Sequence, residues 1–205
     1  LASDVASWCD KEFGKTHLKT GTARLHAARL HLSGVGLKAT FELKRAEAAL
    51  TAQEKLDPLL RAELLYWQGF MSVHDFGALR TAGQALLEEC LAIRRGKLGQ
   101  QHAATADCML LLGEHHVTHG RYDQAEDLLT RSLQVREKLH GSDHAEVAMA
   151  KAGLGRLAFQ RGDYHAAEGL LREALEGLRN TLPPKHPDLA EVRRRLARLL
   201  TITAG

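Results

Sequence analysis

Between residues 102 and 182 the apolar positions recur at helical spacing, break at a glycine, and start again. From His102 to about His119 the stripe is Ala106, Met109, Leu112 and His116, an i, i+3, i+4, i+7 type of pattern that predicts an amphipathic helix. Gly120 ends it, because a residue tolerant of the left-handed conformation is the usual helix terminator. Asp123 is placed to cap a second helix whose inward stripe is Ala125, Leu128, Leu129, Leu133 and Val135. Helix, tight turn and helix make one hairpin. The next stretch repeats it: Val147, Leu154, Leu157 and Ala158, a break at Gly162, then Tyr164, Ala167, Leu170, Leu171, Ala174 and Leu178.

The loops repeat with the stripes. His102, His144 and His186 stand 42 residues apart, each just ahead of a helical pattern, and Gly120-Arg121-Tyr122-Asp123-Gln124-Ala125-Glu126 returns as Gly162-Asp163-Tyr164-His165-Ala166-Ala167-Glu168. A period of this size with no strand signal predicts a helical solenoid. Stepping back one period, Trp67 aligns with Met109, and Leu86, Leu87, Leu91 and Ile93 align with Leu128, Leu129, Leu133 and Val135, with Ala78 and Arg80 in a looser turn. Further back, Gly14-Lys15-Thr16-His17 mirrors Gly99-Gln100-Gln101-His102, which predicts helices at 18–32 and 37–55 parted by Gly34-Val35-Gly36.

The expected organisation is therefore one array over 1–205: a tail of a preceding second helix at 2–12, a divergent repeat at 13–55, repeats at 57–97, 99–139 and 141–182, and a capping helix at 183–200. In that last helix Val192, Leu196, Leu199 and Leu200 are expected to face inward, and Arg193, Arg194, Arg195 and Arg198 mostly outward. The fold class expected is all-α, a right-handed superhelical solenoid of antiparallel helix hairpins.

Composition narrows the function classes. The chain is 44% hydrophobic but only 5% aromatic, so leucine and alanine build its core. Cys9, Cys90 and Cys108 are odd in number and lack metal-ligand spacing, which points to reduced thiols in an intracellular, cytoplasmic protein. No apolar run is long enough to span a bilayer, and no leader opens the chain. Starting at Leu1, the sequence reads as a fragment or processed product. The net charge of +3 lies wholly within 183–205, so a broad polyanion-binding face is not expected and nucleic acid is not a predicted partner.

The order Gly-x-Tyr-x-x-Ala, then Leu-Leu, a small residue, Leu, and a Gly-x-x-His loop resembles the tetratricopeptide repeat, in the 42-residue variety of kinesin light chains; the stretch Ala125 to Leu139 carries the likeness best. The resemblance implies a protein–protein interaction module in which the first helix of each hairpin lines a concave groove for a partner peptide. Carried over to this chain, it places Leu65, Gln68, Ser72 and Asp75, then Asp107, Leu110 and Glu114, then Met149, Ala152, Arg156 and Phe159, and finally Glu191, Arg194 and Arg198 on that groove. Leu110-Leu111 and Ala152-Gly153 replace the paired asparagines of the kinesin light chain pattern. Apolar contacts from Leu110, Met149 and Phe159 and anion contacts from Arg156, Arg194 and Arg198 would suit a partner with acidic side chains or a terminal carboxylate. Two other roles fit the pattern: a scaffold segment of a cytoskeletal, ciliary or motor-adaptor assembly using its convex face or its ends, such as the open end around Trp8, or a regulatory appendage of an enzyme or signalling protein outside this fragment.

Several constellations resemble chemistry and read better as architecture. One histidine per repeat places successive ones roughly 8–10 Å or more apart, beyond one ion with bonds of about 2 Å. They read as loop and cap residues marking helix starts. His115 and His119 are one turn apart but lack an intervening Glu base, and His116 sits at a packing position. Gly14-Lys15-Thr16 and Gly34-Val35-Gly36-Leu37-Lys38-Ala39 fit phosphate- and dinucleotide-loop letters, yet both join helices where such loops follow strands. No catalytic residue, cofactor, metal or membrane contact is expected.

Overall fold

The computed structural model describes residues 2–15, 17–31, 36–53, 55–73 and 82–203. Those residues form α-helices and no strand: α1 Ala2–Phe13, α2 Leu18–His31, α3 Gly36–Thr51, α4 Pro58–Val73, α5 Gly83–Leu98, α6 Ala103–Thr118, α7 Tyr122–His140, α8 Ala145–Arg161, α9 Tyr164–Thr181 and α10 Pro187–Thr203. The expected all-α class is the observed one. Residues Gly34, Val35, Asp75, Ala78 and Arg80, which entered the sequence reading, lie outside the described residues. The chain divides into two compact units, Leu1–Lys97 and Leu98–Gly205.

In the first unit α1 lies on α2, α2 and α3 form a hairpin, and α3 neighbours α4. Leu25, Leu43, Ala46, Leu50, Leu64 and Met71 make its core, with Trp67 packed alongside. A buried guanidinium needs carboxylates, because desolvating an unpaired charge costs several kcal/mol. Arg24 accordingly donates to Asp10 of α1 and to Glu42 of α3, and Arg45 reaches the same Asp10 at 2.5 Å. Across the α4–α5 pair the Cys90 thiol donates to the Ala62 carbonyl, and Arg94 pairs with Glu63 at 3.1 Å. The three cysteines are buried and unbonded to one another.

In the second unit α6 and α7 form one hairpin, α8 and α9 another, and α10 packs on α9 and α8. Val117, Ala125, Leu129 and Leu157 fill one core cluster; Ala148, Ala152, Leu171, Leu178, Leu189, Val192 and Leu199 belong to the other. Small residues in the first helix of each hairpin let the second come close. A Cβ on Gly113 would stand 2.8 Å from Leu129, and one on Gly155 3.0 Å from Leu171. Each glycine weakens its helix by up to about 1 kcal/mol, which the close packing offsets.

The periodic histidines are N-caps. The Nδ1 atoms of His17, His102, His144 and His186 accept the backbone N–H two residues on, at 3.2, 3.1, 3.2 and 3.3 Å. An Nδ1 that accepts leaves the ring proton on Nε2 in the neutral imidazole. The first two corners match further, since the Thr20 and Thr105 hydroxyls donate to the Gly14 and Gly99 carbonyls at 2.8 and 2.9 Å.

Four expectations are corrected. Asp123 is no cap: α7 begins at Tyr122 with Arg121 at the cap position, as α9 begins at Tyr164 behind the true cap Asp163, and Asp123 instead pairs with Arg161. Tyr164, the first residue of α9, is exposed because only the following turn reaches the core. Leu200 is exposed beside the buried Leu199, one residue off the inward stripe. Arg195 turns inward.

Candidate functional site

The first helices of the hairpins in the second unit, α6 and α8, are followed by α10 in the same register, and their side chains meet on one surface. Its centre is an ionic network spanning all three helices. The Arg195 guanidinium of α10 lies 3.4 Å from Oε1 of Glu114 on α6 and 3.5 Å from the Ala152 carbonyl of α8, while its Nε donates to Glu191 at 2.7 Å. Sequence reasoning read Arg195 as outward, yet it is three residues past Val192 and four before Leu199, on the same stripe as both. That spacing was the signal. The carboxylate that draws it in, Glu114, is distant in sequence and was legible only as a separate groove position.

Arg156 of α8 sits beside this network and donates to the Thr118 hydroxyl at 2.9 Å. Burial pushes its guanidinium below the ordinary arginine range; the Glu114 carboxylate opposes that shift and the Arg195 cation adds to it. Among the described residues no carboxylate lies within ion-pair distance of Arg156. A half-buried cation whose direct partner is a neutral hydroxyl favours an incoming anion.

The apolar neighbour is Phe159, half-buried, with the Arg198 guanidinium 5.5 Å above its ring and Tyr164 at 5.7 Å on another side. Met149 and Leu110 are likewise half-buried, Leu110 reaching the position where Gly153 lacks a side chain. Arg194 is exposed and pairs with Glu191 of its own helix. Asp107 is tied to Arg136 at 2.5 Å, and Ala152 is wholly buried in the core. The surface therefore gathers Leu110, Glu114, Met149, Arg156, Phe159, Glu191 and Arg198, to which the structure adds Arg195 and Thr118.

The positions carried over to the first unit differ. Leu65, Gln68 and Ser72 are buried, leaving them almost no surface to offer a ligand, and Asp75 lies outside the described residues. His115 and His119 stack at 4.1 Å, and His119 Nδ1 contacts the His115 carbonyl at 2.8 Å, which is helix-end geometry. No helix among the described residues is long and apolar enough to cross a membrane.

A family model described as tetratricopeptide repeat matches residues 81–138 and 119–180. Among solved structures, BtubC (BKLC) from P. vanneervenii is similar at a TM-score of 0.69 and 17% identity, over 99% of this chain and 80% of that one. At that identity the likeness is one of fold. No curated protein matches the chain in sequence.

Proposed function

We propose, from the premise that this chain is a tetratricopeptide-repeat protein, that it captures an extended or helical segment of a protein partner on the surface formed by α6, α8 and α10. Such helical repeats are interaction modules and are typically non-catalytic. The observation that carries the finer reading is Arg156: a half-buried cation, hydrogen-bonded to Thr118 and one helical turn before Phe159 on α8. Four arginines (156, 194, 195 and 198) face two glutamates (114 and 191) here, so an anionic partner gains from Coulomb attraction in a partly water-excluded setting. Phe159, Met149 and Leu110 supply apolar anchors beside that charge, the pairing of buried anchor and polar rim that interfaces use.

The partner segment accordingly carries a carboxylate, from a side chain or a chain terminus, next to an apolar residue. Selection from a random peptide-display library tests this. Enriched peptides should contain acidic residues beside apolar ones, and Arg156→Glu should weaken them at least about tenfold, the equivalent of ~1.4 kcal/mol. Enrichment without acidic residues, or unchanged affinity in Arg156→Glu, rejects the anion reading.

A further inference from the structure

The corner joining α7 to α8 departs from its sister corners. The residue four before each capping histidine is Phe13, Leu98, His140 or Leu182, and the residue two past it is Lys19, Ala104, Glu146 or Asp188. Only this corner sets a second histidine and a carboxylate around the capping one. His140, His144 and Glu146 each bring a ligand atom within 4.8 Å of the others. His140 Nε2 is 3.3 Å from Glu146 Oε2, and that oxygen is buried with no hydrogen-bond partner. Two ligand atoms about 2.1 Å from a tetrahedral ion lie roughly 3.4 Å apart. A buried carboxylate oxygen held at that separation from a ring nitrogen, without a hydrogen bond between them, is an arrangement an ion would complete.

We propose that His140, His144 and Glu146 bind a divalent transition-metal ion of the zinc class, clamping the end of α7 to the start of α8. Two imidazoles and one carboxylate are borderline ligands suited to Zn2+ rather than to Ca2+ or Mg2+, and the exposed corner leaves a fourth position to water. Binding has a local consequence. The two rings now stack at 4.4 Å and 20°, so their nitrogen lone pairs lie in two nearly parallel, separated planes and one ring must turn to share an ion. His144 Nδ1 now accepts the Glu146 N–H. Coordination through Nε2 moves the ring proton to Nδ1, and coordination through Nδ1 occupies its lone pair, so either mode releases that amide. Metal capture is thus coupled to the N-terminal hydrogen bond of α8 and, by linkage, to stability.

Titrating the full 205-residue chain with Co2+ and Zn2+ tests the site. The expected result is one ion per chain, a four-coordinate Co2+ visible spectrum, a Zn2+-dependent rise in Tm, and a shift of the Glu146 amide resonance. His140→Leu installs the residue found at Leu98 and Leu182, and Glu146→Ala the residue at Ala104, so both suit the fold. Each should weaken Zn2+ at least about tenfold and abolish the Tm response, whereas His186→Asn, at the sister corner, should leave both unchanged. Equal Zn2+ affinity in the natural chain and His140→Leu, or an equal loss in His186→Asn, overturns the proposal.

Discussion

Replacing Gly113 by alanine sets two effects of opposite sign against each other. Alanine is the better helix former by up to about 1 kcal/mol, so an unhindered site is stabilised. At Gly113 the new methyl would stand 2.8 Å from both Cγ and Cδ2 of Leu129, a distance at which something must shift. Leu129 is fully buried in the cluster with Val117, Ala125 and Leu157, so displacing it disturbs that packing. Overpacking of this kind costs about 1–3 kcal/mol, so the net expectation is a loss of up to about 2 kcal/mol. Gly169, inside α9, has nothing within 4 Å of the same atom, and its alanine variant should gain up to about 1 kcal/mol. Both glycines lie in the second unit, so urea midpoints at unchanged m report them on the same transition. A Gly113→Ala variant as stable as Gly169→Ala would refute the close-approach account of the hairpins.

Arg195→Gln should cost about 1–3 kcal/mol in the same assay, because it leaves the buried Glu114 carboxylate without its cation, while Arg194→Gln, itself exposed and paired with Glu191, which keeps Arg195, should stay within about 0.5 kcal/mol. His102→Ala should lower stability by about 1 kcal/mol through loss of the cap on the Ala104 N–H, and His102→Asn should restore most of it, read from thermal unfolding by circular dichroism. In the first unit, Arg24→Ala should destabilise by about 3–5 kcal/mol, since the buried Glu42 would lose its cation and Asp10 would keep only Arg45; hydrogen exchange confined to α1–α3 checks where the loss falls.

The hairpins were legible because their determinants are local: the apolar spacing, Gly120 and Gly162, and the histidine loops all act within a few residues. The corner at Gly14 and His17 likewise reproduces that at Gly99 and His102 down to the threonine hydroxyl. Gly113 and Gly155 stand 42 residues apart as well, and that repeat was a readable sign of close packing that the helix pattern alone did not use. Asp123 was misplaced because a capping side chain counts only relative to the helix start, and α7, like α9 after Asp163, begins at its tyrosine, two residues earlier than a cap at Asp123 requires. The inward turn of Arg195 and the isolation of Arg156 depend on Glu114 and Thr118, residues many turns away in sequence, so no local pattern contains them.

The central claim is that partners dock on the α6, α8 and α10 surface of the second unit. Amide chemical-shift mapping of the isotope-labelled chain, with a display-selected peptide added, tests it most directly. The account predicts shifts centred on Leu110, Glu114, Met149, Arg156, Phe159 and Arg198, lost in Arg156→Glu. Shifts centred instead on the exposed faces of α7 and α9, around Arg131, Glu137, Arg172 and Glu176, would contradict it.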